Sequence, residues 1–276
     1  PHGSSLIPDM NDDAEGGVKT RNALFEMGRR FQDAAPDVIV IATPHGFRVD
    51  GTICVSNAGR GAGTLKWAGR QVEQNIPFDT SFAERLTTEA KTRGVPVSNG
   101  SYGGGGASGV LPIDWGVITP LWFAAFQRNM TGHGDVLASA GVVDEGPTVV
   151  VVCPARDLNA DSHIAFGEAL ATAAAADGRR IAYIASCDWS HRHSADGPYG
   201  YSDYAAVADQ NILSAVETET LGSLASVTPK EVADAAMDGL PQTLILSGVI
   251  NSTGLKVNVL SYEAPTYYGM IVATYQ

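Results

Sequence analysis

The 276-residue sequence predicts an α/β fold, a single domain over 1–276 with a central, mixed but mostly parallel sheet and helices on both faces. Two observations lead there. The runs 38–42, 148–153 and 180–186 are short, apolar and rich in β-branched residues, the pattern of strands buried on both faces. Between the second and third lies an alanine-rich helical stretch at 162–176, so strand, helix and strand follow one another as a parallel crossover. With 44% hydrophobic residues the chain can bury a large core, and no repeat or linker divides it.

Each element has its own signal. Residues 16–35 place Val18, Leu24, Phe25, Met27, Gly28 and Phe31 among charged positions at helical spacing, and Pro36-Asp37 ends that helix before the strand at 38–42. Residues 79–93 predict a second helix with Asp79 as its N-cap. The stretch 98–109 holds Gly103-Gly104-Gly105-Gly106 and is expected to be a loop. It lacks the Lys-Ser/Thr pair of a phosphate loop, so nucleotide binding is not its purpose. The helix at 162–176 takes Asp161 or Ser162 as its cap. Later helices are expected at 205–221 and 229–237, the second capped by Thr228 and opened by Pro229. A strand near 257–262 and a partner at 268–274 close the chain, while His133, between two glycines, reads as an exposed turn residue.

Composition excludes several function classes. A net charge of −12 argues against nucleic acid and anionic membrane surfaces as partners. No apolar run approaches the roughly 20 residues of a membrane span, and no secretion signal is visible, so a cytoplasmic protein is expected. Cys54, Cys153 and Cys187 are odd in number and far apart, which predicts buried small hydrophobes rather than disulfides or a zinc-thiolate site.

Titratable residues concentrate in three short segments. His2 lies in Pro1-His2-Gly3, and His45 lies in Thr43-Pro44-His45-Gly46, just past the carboxyl end of the strand at 38–42. Open α/β sheets place ligands and catalysts at that edge. The third segment, Ser186-Cys187-Asp188-Trp189-Ser190-His191-Arg192-His193, begins where the strand at 180–186 ends, at the same edge. His2 and His45 together predict a mononuclear metal site, and His191 is a candidate ligand or acid/base group. Asp188 reads as tying down its own loop.

At these segments the chain resembles the class III extradiol ring-cleavage dioxygenases, the LigB-like superfamily of the protocatechuate 4,5-dioxygenase β subunit, which includes Memo-like proteins. The resemblance rests on Pro1-His2, Pro44-His45-Gly46, Asp114-Trp115-Gly116 with Pro120-Leu121, Ser186 to His191, Asp196-Gly197-Pro198-Tyr199-Gly200-Tyr201 and Ser261-Tyr262-Glu263-Ala264-Pro265, in order along nearly the whole chain. It implies a non-haem Fe(II) cofactor held by His2, His45 and one carboxylate, with His191 as acid/base. The family's carboxylate is usually Glu before a Gly-Leu pair. Here Asp238 precedes Gly239-Leu240, with Glu263 as the fallback, and Gly239 would let backbone approach the metal. Trp115 stands where the family often carries a substrate-binding His. Asp114, Trp115, His163 and His193 are the candidate substrate-side residues, with Asp114 also read as orienting backbone or a histidine.

The implied reaction is O₂-dependent opening of a catechol-type or o-aminophenol-type ring. Both oxygen atoms enter the product, and His191 takes a proton from a substrate hydroxyl and later returns one. The implied partners are a small aromatic substrate and O₂, in a homodimer or larger assembly, with a second subunit in some members. Arg48, Arg60 and Arg192 lie near the candidate loops and are candidate carboxylate binders. Two alternatives stand beside this reading: a Memo-like metal-binding or scaffold protein without dioxygenase activity, and a zinc-dependent hydrolase.

Overall fold

A computed structural model describes residues 1–10, 16–67, 69–103, 106–126 and 146–276; His133 lies outside them. In chain order the elements are α1 (Val18–Ala34), β1 (Val38–Ala42), β2 (Ile53–Ser56), β3 (Ala58–Trp67), β4 (Arg70–Pro77), α2 (Thr80–Thr92), β5 (Val97–Gly100), β6 (Gly106–Pro112), α3 (Trp115–Leu121), β7 (Thr148–Cys153), α4 (Ala160–Asp177), β8 (Ile181–Ala185), α5 (Tyr204–Glu217), α6 (Pro229–Ala235), α7 (Leu240–Thr253), β9 (Val257–Glu263) and β10 (Met270–Tyr275).

The three predicted buried strands are the heart of the central sheet, whose order is β5-β2-β7-β1-β8. β1 pairs in parallel with β7 on one side and β8 on the other, and β2 enters antiparallel to β7 through Cys54 opposite Cys153. The sheet is therefore mixed and mostly parallel, and every residue of β1 is fully buried. Val38, Val40 and Ala42 meet Phe82, Leu86, Phe166, Leu170 and Ile245 from α2, α4 and α7. Ile39 and Ile41 meet Leu24, Met27, Val117 and Leu121 from α1 and α3. A continuous apolar strand is what this two-sided burial requires.

Local signals hold at most termini. The Asp79 carboxylate accepts the Phe82 N–H at 2.8 Å as the α2 N-cap, and it also takes Thr148 Oγ1 (2.8 Å) and Arg179 Nη1 (2.5 Å). Thr228 and Glu231 form a reciprocal capping box at α6. The α4 cap is Asn159, whose side chain accepts the Ser162 N–H, rather than Asp161 or Ser162. Starting the helix earlier leaves Asp161 in the first turn, where its charge suits the helix dipole.

The expectation for 98–109 is corrected: β5 occupies its start, and β6 pairs with β3 in a three-stranded sheet ordered β4-β3-β6. That sheet packs Leu65, Val72, Ile76 and Leu111 beneath the α1 face of the central sheet. β6 opens on small residues, Gly106-Ala107-Ser108-Gly109, which do not announce a strand; the ladder partner supplies its order. The helix expected at 205–221 stops at Glu217, and Leu221–Ser226 forms a separate 3-10 helix. All three cysteines are free and buried. Among the described residues, no helix is long and apolar enough to cross a membrane.

Candidate metal centre and its histidines

Because β1 lies between β7 and β8 and runs parallel to both, the carboxyl ends of all three strands open on one edge. His45 leaves the end of β1 there, and the 186–193 loop leaves the end of β8. His2 is delivered by the N-terminal segment, which Leu6, Ile7 and Met10 anchor in the core at 1% exposure or less. Arg21 of α1 ties the same segment down by donating to the carbonyls of Leu6 (3.0 Å) and Ser5 (3.2 Å). Asp238 arrives from the far side, in the short connection between α6 and α7.

One ring nitrogen from each of His2 and His45 and one Asp238 oxygen lie within 4.8 Å of one another. The two rings meet edge to face with centroids 4.9 Å apart. His2 is 2% exposed. Ser186 Oγ donates to the Gly116 carbonyl at 2.5 Å, so toward His2 Nδ1, 3.2 Å away, it accepts. His45 Nδ1 faces Asp114 Oδ2 at 3.3 Å, and the other Asp114 oxygen caps α3 through the Gly116 N–H at 2.9 Å. His191 Nδ1 donates to the Ala236 carbonyl at 2.9 Å. Ala236 ends α6 in the left-handed conformation, φ 50°. An acceptor on each Nδ1 fixes each tautomer and leaves each Nε2 with a free lone pair.

Those lone pairs face carboxylates. Asp238 Oδ2 is 3.8 Å from both His2 Nε2 and His191 Nε2, and Asp188 Oδ2 is 3.3 Å from His2 Nε2. Burial pulls the His2 imidazolium down to a pKa of about 4, so its ring is neutral at pH 7. Burial, reinforced by the charge of Asp188, pushes the Asp238 carboxyl well above the usual carboxylate range. Neutral imidazole lone pairs and two acidic groups converging in a buried space repel one another. A divalent cation at their centre turns each repulsion into an attraction. The donor set of two imidazoles and a carboxylate fits such an ion.

The structure sorts the remaining candidates. Trp115 sits edge to face with His45 at 4.5 Å and is 42% exposed, so it forms a wall of the cleft. The carboxylate oxygens of Asp114 face Gly116 and His45, which is the orienting geometry. His163 has a backbone partner. It is buried in α4, where its Nε2 bonds the Ala155 carbonyl at 3.1 Å, tying down the loop after β7. His193 turns away and pairs with buried Asp209 at 2.8 Å. Glu263 accepts the Thr20 N–H at 2.7 Å and serves α1, not the metal cluster. Gly239 has an ordinary φ of −85°. A Cβ there would lie 2.9 Å from Cys187 Cβ and 3.1 Å from the Asp188 carbonyl, so glycine is needed for packing on the 187–188 loop.

Arg60 bonds the side chain and carbonyl of Asn75, and Arg192 reaches the Asp234 carbonyl. Sequence reasoning missed Arg156, in the loop after β7. Burial and neighbouring Arg48 pull its guanidinium below the usual range, while Asp238 and Tyr199 act on it in the opposite direction. Only the parallel pairing of β7 with β1 brings it to this edge. Asp188 was read as a loop tie, yet it also accepts the His2 backbone N–H at 3.3 Å. Tyr199, Tyr267 and Tyr268 surround His191 with ring centroids 5.7, 6.0 and 5.8 Å away.

Residues 1–273 match the family described as the catalytic LigB subunit of aromatic ring-opening dioxygenase. The chain belongs to the LigB family. It is 23% identical over 276 residues to Protein CA_C1420 of Clostridium acetobutylicum, covering 95% of this chain and 53% of that protein. The chain thus spans about half the length of that curated relative. The fold is also similar to the crystal structure of the uncharacterized protein JW3007 from Escherichia coli K12, with a TM-score of 0.57, 14% identity, and coverage of 91% of this chain and 90% of that one. LigB proteins are metal-dependent, and among the described residues His2, His45 and Asp238 form a group that could hold a metal ion.

Proposed function

We propose that this LigB-family chain is an extradiol dioxygenase that opens the ring of a catechol-type or o-aminophenol-type substrate with O₂, using Fe(II) held by His2, His45 and Asp238. The observation that carries the reading is His191. It stands at the edge of the ligand set with Nδ1 committed to the Ala236 carbonyl and Nε2 directed at Asp238 Oδ2, 3.8 Å away. A third histidine so placed suits an acid/base group beside a two-histidine, one-carboxylate site.

When bound, the iron supplies Lewis acidity and a path for charge between the aromatic ring and O₂. The chain's own residues do the rest. Trp115 on one side and Tyr199 and Tyr267 on the other offer aromatic walls for a flat ring. His191 Nε2 takes the proton of a substrate hydroxyl, and the Ala236 carbonyl, accepting from Nδ1–H, stabilises the imidazolium so formed. The same Nε2 returns that proton as the ring carbon–carbon bond breaks. Both atoms of O₂ end in the product, so no external reductant is consumed. Arg48 and Arg156 favour a substrate whose ring carries an anionic substituent.

The test is anaerobic loading with Fe(II), then addition of a panel of catechols with and without carboxylate groups, then air. A yellow semialdehyde chromophore with one O₂ consumed per ring opened is the expected result. No colour and no oxygen uptake across the panel at full iron occupancy sinks the proposal. Ester turnover by the zinc-loaded protein alone would instead move the site to hydrolysis.

A further inference from the structure

Asp209 of α5 is fully buried and belongs to neither the ligand set nor the cleft wall. One of its oxygens accepts the Ser190 N–H at 2.9 Å. The other faces His193 Nε2 at 2.8 Å and accepts from Tyr262 Oη at 3.1 Å. Ser190 precedes His191 and His193 follows it by two, so one carboxylate grips the loop on both sides of the acid/base histidine. Ser190 Oγ adds a bond from the same loop to the Ala205 carbonyl of α5 at 3.0 Å.

The third side of the grip is backbone. Trp189 N–H donates to the Gly269 carbonyl and Gly269 N–H to the Ser190 carbonyl, each at 2.9 Å, and His193 N–H donates to the Tyr267 carbonyl at 3.0 Å. Gly269 can lie there only because it lacks a side chain, since a Cβ would fall 1.7 Å from Asp209 Oδ2. Asp209 thereby also sets the segment carrying Tyr267 and Tyr268, whose rings flank His191. A buried carboxylate without donors would be strongly unfavourable. Its three partners make it a hub that accepts on both oxygens; an asparagine amide N–H₂ would face either the Ser190 N–H, which cannot accept, or His193 and Tyr262, which would both have to reverse their roles.

We propose that Asp209 is a positioning residue that holds His191 in the geometry its proton transfers require. The inference rests on the acid/base role given to His191 above, so its test has one arm that does not depend on turnover. In the zinc-loaded protein, ¹⁵N-resolved imidazole spectra report which His191 nitrogen carries the proton. Wild type should show Nδ1–H alone, and Asp209→Asn a mixture of both tautomers.

In the iron-loaded protein, Asp209→Asn should retain metal and keep KM within about two-fold while kcat falls about ten-fold or more, since misorientation weakens the transition state rather than substrate binding. His193→Gln, which keeps a donor toward Asp209, should recover most of the activity that His193→Leu loses. Gly269→Ala should reproduce the Asp209→Asn effect and not add to it in the double variant. A wild-type tautomer and kcat in Asp209→Asn would overturn the proposal, as would metal loss in step with activity. If the wild-type enzyme opens no ring, the tautomer arm alone decides.

Discussion

Single atoms govern the centre. Asp238 is carried with a buried, disfavoured charge beside Asp188, so replacing it with asparagine should stabilise the metal-free protein. The sign follows from linkage. A carboxyl whose folded pKa lies above its unfolded value costs nothing while protonated, below about pH 4, and destabilises increasingly as pH rises through the folded value. The melting temperature of metal-free Asp238→Asn should exceed that of wild type by roughly 2–6 °C at pH 8 and by little near pH 4. Adding metal should reverse the order, because only wild type retains the charged ligand. Equal or lower stability of the variant at pH 8 would show that Asp238 is not strained. His191→Ala should bind metal normally and lose about 10²–10⁴-fold in kcat, the share typical of a positioned acid/base group. Metal loss in that variant would move His191 into the ligand set.

Secondary elements matter here for what they anchor. Arg21 of α1 touches no ligand, yet it holds the carbonyls of Ser5 and Leu6 just beyond His2. Arg21→Ala should therefore weaken metal binding several-fold while the helix itself survives, and calorimetric titration with Mn(II) or Zn(II) would measure it. Unchanged affinity would mean that Leu6, Ile7 and Met10 suffice to place His2. Asp79 does comparable work for α2 and for β7. Burial opposes its charge, but Arg179, Phe82 N–H, Ser81 and Thr148 together hold its carboxyl down at about 2. Its contribution is present above about pH 4 and is lost as pH falls toward 2. Asp79→Ala should cost about 1–3 kcal/mol by urea unfolding at pH 7, and the difference should shrink below pH 4.

Across the whole molecule, the metal centre draws four distant stretches of chain to one sheet edge: the N-terminal segment, the turn after β1, the loop after β8 and the α6–α7 connection. An ion that binds only the assembled site stabilises the native state by about 2.7 kcal/mol at a hundred-fold excess over Kd. A rise of roughly 4–6 °C in melting temperature is expected for a chain of this size, absent in His2→Ala and His45→Ala. A flat thermal profile across divalent metals would refute the centre.

What the sequence determined by itself follows from short-range physics. Runs of β-branched residues need two-sided burial, so β1, β7 and β8 were legible, as were α1, α2 and the Thr228 cap. His2, His45, Asp238 and His191 were legible through their segment contexts and the family pattern those segments form. Other features had to wait for tertiary structure because their cause is not local. β3 is rich in glycine and alanine and β4 in polar residues, with Ala58, Leu65, Val72 and Ile76 joining the core, and β6 takes its order from a ladder partner. α7 buries most of its circumference and shows no amphipathic period. His163 and His193 looked alike on paper; only packing made one a tie to the Ala155 carbonyl and the other the partner of Asp209. Asp209 itself had no signal, since a carboxylate in a helix is ordinarily solvated. Its place at zero exposure was decided by three donors that meet only when α5, β9 and the loop after β8 close on one another.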